Sequence, residues 1–421
     1  MNPKESRWPL AGAAVLYTVF GLFYLRPIWQ VWQDRIAPST ADPLFNLWVL
    51  KWGVHQIRTG LPDLWNANIF HPTPGTLALS DHLIGPAFQI SLFDNAIAGY
   101  NFLVFTSFVL TGLTVCWVVR RSGCSWIAAV LAGAMYAFSP FRLTQLNHIQ
   151  ILLVQWAPLT LWFWDRLLAE HRARHAVLFL VFYLLHVTGG AYLAYMIHIP
   201  LLVILVNRGR ELIGGWRVLI PVALVAGGIL AAVFLPYATL GLERESDEVG
   251  EYGATLLSWL SPARGSLWFA PISKAYEQKR LGPAAEPFFR TENALFAGFV
   301  PTILALLGLW KLRPDPWERG LLLSGLACFA LAHPIVYVPM MHVLPGLSGM
   351  RVPARFAAFV SLAVVLLAAK GTDRLLARGK TWLVGLLALV LVAELTPKPV
   401  RWARLEREEA FPPVYAWLAK Q

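Results

Sequence analysis

Repeated apolar runs of roughly 17–25 residues constrain this chain more than any other feature of its sequence. An α-helix rises about 1.5 Å per residue, so runs of this length match the ~30 Å hydrocarbon core of a bilayer. Only 14% of the 421 residues are charged and 57% are hydrophobic, whereas soluble domains carry about 25% charged residues. The sequence therefore predicts an all-α polytopic membrane protein.

We expect about eleven transmembrane helices, with a large first outer loop that carries helices lying along the membrane interface. Residues 1–396 are predicted to form one transmembrane domain with outer loops at 30–99 and 237–294, and residues 397–421 a short outer tail. The predicted spans are 8–29, 100–119, 125–140, 149–165, 176–188, 190–206, 216–236, 295–310, 319–333, 354–370 and 381–396.

The distribution of basic residues predicts the orientation. With a cytoplasmic N-terminus, the inner segments hold 17 of the 35 Lys and Arg residues but only 7 of the 24 Asp and Glu residues. Cytoplasmic loops carry such a basic excess, so the N-terminus is expected inside and the C-terminus outside a bacterial inner membrane. The first apolar run lacks a small-residue cleavage site, which argues against a cleavable signal peptide. Because the basic charge is spread over several short loops, a nucleic-acid partner is not indicated.

The stretch 37–95, between the first two spans, differs in composition from the rest of the chain. Prolines divide it into short pieces, and the segments 48–57 and 83–93 have helix-like apolar spacing. A long loop crowded with titratable groups is more often a site than a spacer. Its carboxylates and histidines are Asp42, Asp63, Asp81, Asp94, His55, His71 and His82. We expect His55 and His71 to be structural.

Two further outer segments carry candidate residues. The loop 139–150 holds Arg142, His148 and Gln150, which either bind a ligand or anchor the chain at the interface. Arg351 and Arg355 are four residues apart and share a helix face. They form a phosphate clamp or extend to lipid headgroups.

The sequence lacks the signatures of several familiar sites. Cys116, Cys124 and Cys328 have no metal-ligand spacing, which argues against a disulfide framework or a zinc site. No nucleophile elbow, HExxH or phosphate-binding loop is present. A carboxylate facing basic groups at the outer surface fits group transfer from a lipid-linked donor. The carboxylate would take a proton from an acceptor hydroxyl, and the cations would stabilise the leaving phosphate.

Five segments resemble the GT-C superfamily of polyprenyl-phosphate-sugar-dependent glycosyltransferases, and most closely its YfhO-like bacterial membrane proteins. They are TADPLFNLWVLKWGVHQI, IFHPTPGTLALSDH, LNHIQILLVQWAPLTLWFWDRLL, LSWLSP and HVLPGLSGMRVPARF. In that superfamily an essential acidic residue follows the first span, and Asp42 stands in that place. The resemblance implies a base role for Asp42, and a second polar or metal-binding role for Asp81 with His82.

The resemblance implies an inverting enzyme that moves a sugar from a polyprenyl-phosphate donor to a hydroxyl of a glycan, lipid or protein acceptor. The predicted catalytic residues are Asp42 and Asp81. The predicted donor-phosphate ligands are Arg351, Arg355, Arg142 and His148, and His82 and Gln150 are further polar groups of the site. No exogenous nucleotide is needed by this chemistry, no cofactor is certain from the sequence, and a divalent metal ion stays open.

Two alternatives remain. One is a flippase or transporter of lipid-linked sugars, although transporters usually place charged residues at mid-membrane. The other is a non-catalytic assembly partner in which Asp42, which precedes Pro43, only caps a helix. The sequence leaves the sugar, the acceptor and the oligomeric state undetermined.

Overall fold

The structure is a computed structural model and describes residues 8–269, 292–405, 412–418 and 420. Parts of the predicted fourth outer loop and of the predicted tail therefore lie outside the described residues. The described chain is built almost entirely from helices. The α-helices are α1 (Trp8–Tyr24), α2 (Asp42–Thr59), α3 (Ile84–Ile90), α4 (Ala96–Arg121), α5 (Trp126–Ala137), α6 (Pro140–Thr144), α7 (Ile149–Leu152), α8 (Ala157–Glu170), α9 (Ala173–Val187), α10 (Ala191–Met196), α11 (His198–Asn207), α12 (Leu212–Leu240), α13 (Ser246–Glu251), α14 (Phe299–Leu309), α15 (Pro316–Ala332), α16 (Pro334–Met341), α17 (Ala357–Ala377), α18 (Thr381–Leu395) and α19 (Pro413–Leu418).

Within the described residues, four helices are long and apolar enough to cross a membrane. They are Ala96–Arg121, Trp126–Asn147, Gly209–Leu240 and Pro353–Ala377. The pair α15 and α16 is bent by 86° and makes a fifth if counted as one span. The membrane-type helical fold agrees with the prediction, whereas the count of eleven spans stays a prediction.

Several predicted spans correspond to shorter or broken helices. The predicted span 149–165 is divided into α7 and α8, and α8 starts with Pro158 in its first turn. Proline has no N–H to donate and is favoured at a helix start, so this break follows from the sequence. The predicted span 190–206 is likewise divided into α10 and α11.

The helices pack closely where glycines allow backbones to meet. A Cβ atom at Gly308 of α14 would lie 1.9 Å from the carbonyl oxygen of Leu367 in α17, and one at Gly371 would lie 1.9 Å from that of Leu304. Small residues permit this approach between helices in membranes. α17 also packs against α5 and α15, which places it at the centre of the bundle.

The predicted helices of the first outer loop are present as α2 and α3. α2 has Pro43 in its first turn, a favoured position, and ends at Gly60, whose φ of 87° suits glycine. α3 packs on α2, because a Cβ at Gly53 would lie 2.5 Å from that of Ala87. Asp42 therefore lies at the start of a helix, α2, whose position is fixed by the packing of α3 against it.

The chain after α18 folds back onto the two predicted outer loops. β2 (Ala403–Arg404) pairs antiparallel with β1 (Arg35–Ile36), and the amide of Lys398 donates to the carbonyl of Gly265 over 2.8 Å. An isolated bridge also joins Ser266 to Pro397. The described part of the predicted tail thus ties the first and fourth outer segments together.

Candidate functional site

The carboxylate of Asp42 lies at the first residue of α2 and faces His148, with 3.1 Å between Oδ2 and Nε2. The side chain is 48% exposed. The hydrogen bond with His148 is the main cause that lowers the pKa of Asp42, and it outweighs the opposing effect of partial burial. Asp42 is therefore an ionised, accessible carboxylate. It does not cap α2, because Ala41 occupies the cap position.

His148 is placed by the turn between a short 3₁₀ helix (Gln145–Asn147) and α7. Its Nδ1 lies 3.1 Å from Oε1 of Gln145 and 3.6 Å from Oε1 of Glu292. The imidazole is buried between this pair and Asp42. His148 thus connects an exposed carboxylate to a buried one.

Glu292 is buried and binds Arg355, with 2.7 Å between Oε1 and Nη2 and 3.4 Å between Oε2 and Nε. Burial raises the pKa of Glu292, but the charges of Arg355 and His148 and the hydrogen bonds from Arg355 and Gln145 outweigh it and leave this pKa lowered. The guanidinium of Arg355 also lies 4.7 Å from the ring centre of Tyr192. Arg355 is therefore fixed on two sides.

Arg351 is more accessible than Arg355, since 37% of its side chain is exposed. Its Nη1 lies 3.6 Å from Oε1 of Glu248, and its guanidinium lies 4.9 Å from the ring centre of Tyr252. Its backbone amide donates to the hydroxyl of Tyr192 over 3.0 Å. Tyr192 therefore contacts both arginines of the predicted phosphate clamp.

Asp81 is only 5% exposed, and its Oδ1 accepts a hydrogen bond from the amide of Tyr192 over 3.1 Å. Burial is the main cause that raises its pKa, although this backbone hydrogen bond acts in the opposite direction. A Cβ at Gly190 would lie 3.0 Å from Oδ1 and 2.9 Å from the Cβ of Gln150. Asp81 thus lies deep in the protein, against the start of α10.

His82 contacts different groups from its neighbour Asp81. Its ring nitrogens lie 3.1 Å from the hydroxyl of Tyr237 and 3.0 Å from the carbonyl of Val187. Burial lowers the pKa of His82 to about 4, so the ring is neutral at pH 7. These contacts fit a role in joining the first loop to α9 and α12.

Arg142, predicted to bind the donor phosphate, is buried and hydrogen-bonded away from Asp42. Its Nη1 donates to the carbonyl of Leu152 over 3.0 Å and its Nη2 to the hydroxyl of Ser107 over 3.3 Å. Its guanidinium lies 4.7 Å from the ring centre of Phe108. Since α4 and α7 hold it, we assign Arg142 to packing. Gln150 is also buried, and its Oε1 has no hydrogen-bond partner among the residues that the structure describes.

Within the described ranges, no group of three or more His, Cys, Asp or Glu side chains is arranged to hold a metal ion. Asp81 and His82, which the resemblance suggested as metal ligands, bind different protein groups instead.

Sequence analysis missed Glu292, Gln145 and Tyr192 as parts of this site. Gln145 lies three residues before His148 in the same loop. This short spacing was the sequence signal that could have indicated their contact. Glu292 ends the long fourth outer segment, and no local pattern in the sequence indicates where that segment folds.

Comparisons with known proteins found similarity at the level of structure. No protein-family model and no curated protein matches the chain. The chain is similar to the crystal structure of ArnT from Cupriavidus metallidurans bound to undecaprenyl phosphate, with a TM-score of 0.46 and 15% sequence identity. The match covers 90% of this chain and 63% of that one. The chain thus spans less than two thirds of the structure it matches.

Proposed function

We propose that the protein is an inverting glycosyltransferase that moves a sugar from a polyprenyl-phosphate donor to an acceptor hydroxyl at the outer face of the membrane. The observation that carries this proposal is the half-exposed, ionised carboxylate of Asp42 beside His148 and close to the two arginines. The electrostatic effects of Arg355 and Arg351 on Asp42 support their proximity. A base and cations next to one another are what transfer from a phosphate-linked donor requires.

The reaction would be a single displacement. Asp42 takes the proton of the acceptor hydroxyl, and the acceptor oxygen forms a bond to the anomeric carbon of the sugar. The bond between that carbon and the phosphate oxygen breaks, and polyprenyl phosphate leaves with the electron pair. A general base contributes about 10²–10⁴-fold to such a rate.

The leaving phosphate needs positive charge, and the arginines differ in how they supply it. Arg355 is already paired with Glu292, so its charge is largely balanced. Arg351 is partly exposed and only 3.6 Å from Glu248. A phosphate can replace that weak surface contact, which makes Arg351 the main donor-phosphate ligand. His148 would add charge between this end of the site and Asp42.

The substrates would reach the site from two directions. The polyprenyl chain would enter from the bilayer, between the first outer loop and the segment 333–356, and the glycan, lipid or protein acceptor from the outer aqueous side. The protein would lie in a bacterial inner membrane with the N-terminus inside and the C-terminus outside.

The test is sugar transfer in reconstituted vesicles with a panel of polyprenyl-phosphate sugars. Wild type should release polyprenyl phosphate, and Asp42→Asn should lower the rate by about 10²–10⁴-fold. Asp94→Asn is the matched control, because Asp94 is an exposed carboxylate of the same loop. Lipid-linked sugar that crosses the bilayer uncleaved, equally with wild type and Asp42→Asn, would instead indicate a flippase.

A further inference from the structure

The orientation of the Gln145 amide is determined by Glu292. The carboxylate Oε2 of Glu292 lies 3.1 Å from Nε2 of Gln145. A carboxylate only accepts hydrogen bonds when ionised, so the amide must present its NH₂ group to Glu292. The amide oxygen of Gln145 then faces Nδ1 of His148, 3.1 Å away. The opposite orientation would place two acceptors against each other at both contacts.

The amide orientation fixes the proton on one side of the His148 ring. An amide oxygen accepts hydrogen bonds, so Nδ1 of His148 carries a proton and donates it to Gln145. On the other side, Nε2 faces Oδ2 of Asp42 over 3.1 Å. A carboxylate is ionised at pH 7 at its ordinary pKa and then only accepts hydrogen bonds, so Asp42 is the acceptor and Nε2 is the donor. Both ring nitrogens therefore carry protons.

We infer that Glu292 is a positioning residue that, directly and through Gln145, keeps His148 as an imidazolium bound to Asp42. Its catalytic consequence rests on the transferase function proposed above. Glu292 also binds Arg355 over 2.7 Å. One buried carboxylate thus orders the base at one end of the site and an arginine at the other. The imidazolium supplies positive charge near the leaving phosphate and keeps Asp42 ionised.

The charged groups around the pair are few and come from several elements. His148 faces Asp42 from α2 and Glu292 from the segment before α14. Arg355 interacts electrostatically with both Glu292 and the buried Asp81, and His148 interacts with the same two carboxylates. Asp42 is also influenced by Arg351 from the segment before α17 and affects Tyr100 of α4. Among these groups, Glu292 is the one that contacts both Arg355 and Gln145.

Two variants test the inference. Glu292→Gln removes the charge and releases the Gln145 amide. Gln145→Leu breaks the link to His148 while it leaves the pair of Glu292 and Arg355 intact, so it stays informative if Glu292→Gln folds poorly. Glu318→Gln is the matched control, because Glu318 is another buried acid that is paired with a cation, Lys370.

The first readout is independent of activity and uses ¹⁵N-histidine NMR of the full-length protein in detergent, with His148 assigned from its loss in His148→Gln. In wild type at pH 7, both ring nitrogens of His148 should be protonated. The doubly protonated fraction should fall in Glu292→Gln and in Gln145→Leu, but not in Glu318→Gln. Unchanged ring signals in both test variants would overturn the inference, whatever the activity.

The second readout is the pH profile of kcat/KM for sugar transfer. Without the imidazolium, the main cause that lowers the pKa of Asp42 is weakened, so this pKa rises. Because the base must be ionised, the acidic limb should move to higher pH. Separately, kcat at pH 7 should fall about tenfold, because the positive charge beside the leaving phosphate is lost. A purely structural role would lower the amount of active protein without moving the limb. If ring signals change but wild type transfers no sugar, the proposed function fails and the positioning role stands.

Discussion

Two polar clusters of the fold use similar side chains in different ways. The first, which we call the Asp42 cluster, consists of Asp42, Gln145, His148, Glu292 and Arg355. The second, which we call the Asp165 cluster, consists of Asp165, Arg166, Arg208 and Glu211. α8 begins soon after His148, and Asp165 lies near its other end.

The Asp165 cluster is closed. Asp165 is fully buried and accepts both arms of Arg208, with 2.8 Å from Nε to Oδ1 and 3.0 Å from Nη2 to Oδ2. Arg166 pairs with the same carboxylate, and Glu211 lies 3.3 Å from Nη1 of Arg208. Such a fork-on-fork pair leaves little capacity for a further partner.

The Asp42 cluster is open. The carboxylate of Asp42 is half exposed and contacts His148 through Oδ2. A substrate can therefore approach its other oxygen. The neighbouring Arg351 is also partly exposed. The comparison teaches that a buried ion pair by itself does not identify a site. We propose that a functional cluster is distinguished by charged groups that are held in place but keep an exposed face for a ligand.

The largest expected effect on stability belongs to the closed cluster. Arg208→Met should lower the free energy of unfolding by about 3–5 kcal/mol, because it leaves Asp165 buried without its main partner. Thermal unfolding in detergent measures this, with the exposed neighbour in Arg210→Met as control. Sugar transfer per folded molecule should stay at the wild-type level. A loss of transfer without a loss of stability would assign the Asp165 cluster a direct role in the reaction and would contradict the comparison.

An intermediate effect is expected at Arg351, on the open side. Arg351→Gln should raise KM for the polyprenyl-phosphate donor about tenfold, the equivalent of one charge-assisted hydrogen bond of about 1.5 kcal/mol. Initial rates at varied donor concentration measure this. The matched control is Arg58→Gln, an exposed arginine of the first outer loop. If donor KM is unchanged and the rate falls only in Arg355→Gln, the phosphate lies deeper than proposed.

The sequence was sufficient for the helical class and for α2 and α3, because each follows from local pattern, whereas the role of Asp42 stays a prediction. It could not place Glu292, which meets Gln145 across 147 positions of the chain. The same limit applies to Arg142. Its position next to two apolar runs indicated an outer-surface arginine, but its burial against Phe108 depends on how α4 and α7 pack. Contacts across the fold decide which polar residues remain available.

The smallest effect is expected at Asp81, the second carboxylate of the predicted site. Asparagine keeps an oxygen that can accept the amide of Tyr192. Burial raises the pKa of Asp81 because it disfavours the charged form, so a neutral amide relieves this cost of burial. Asp81→Asn should therefore change the free energy of unfolding by about 1 kcal/mol or less and transfer by only a few-fold. Unfolding and initial rates, measured beside Asp42→Asn, check this. If Asp81→Asn abolished transfer and Asp42→Asn did not, the buried carboxylate would be the base. Asp42 would then have a supporting role. The exposure of a carboxylate would no longer distinguish a functional charged residue from a structural one in this fold.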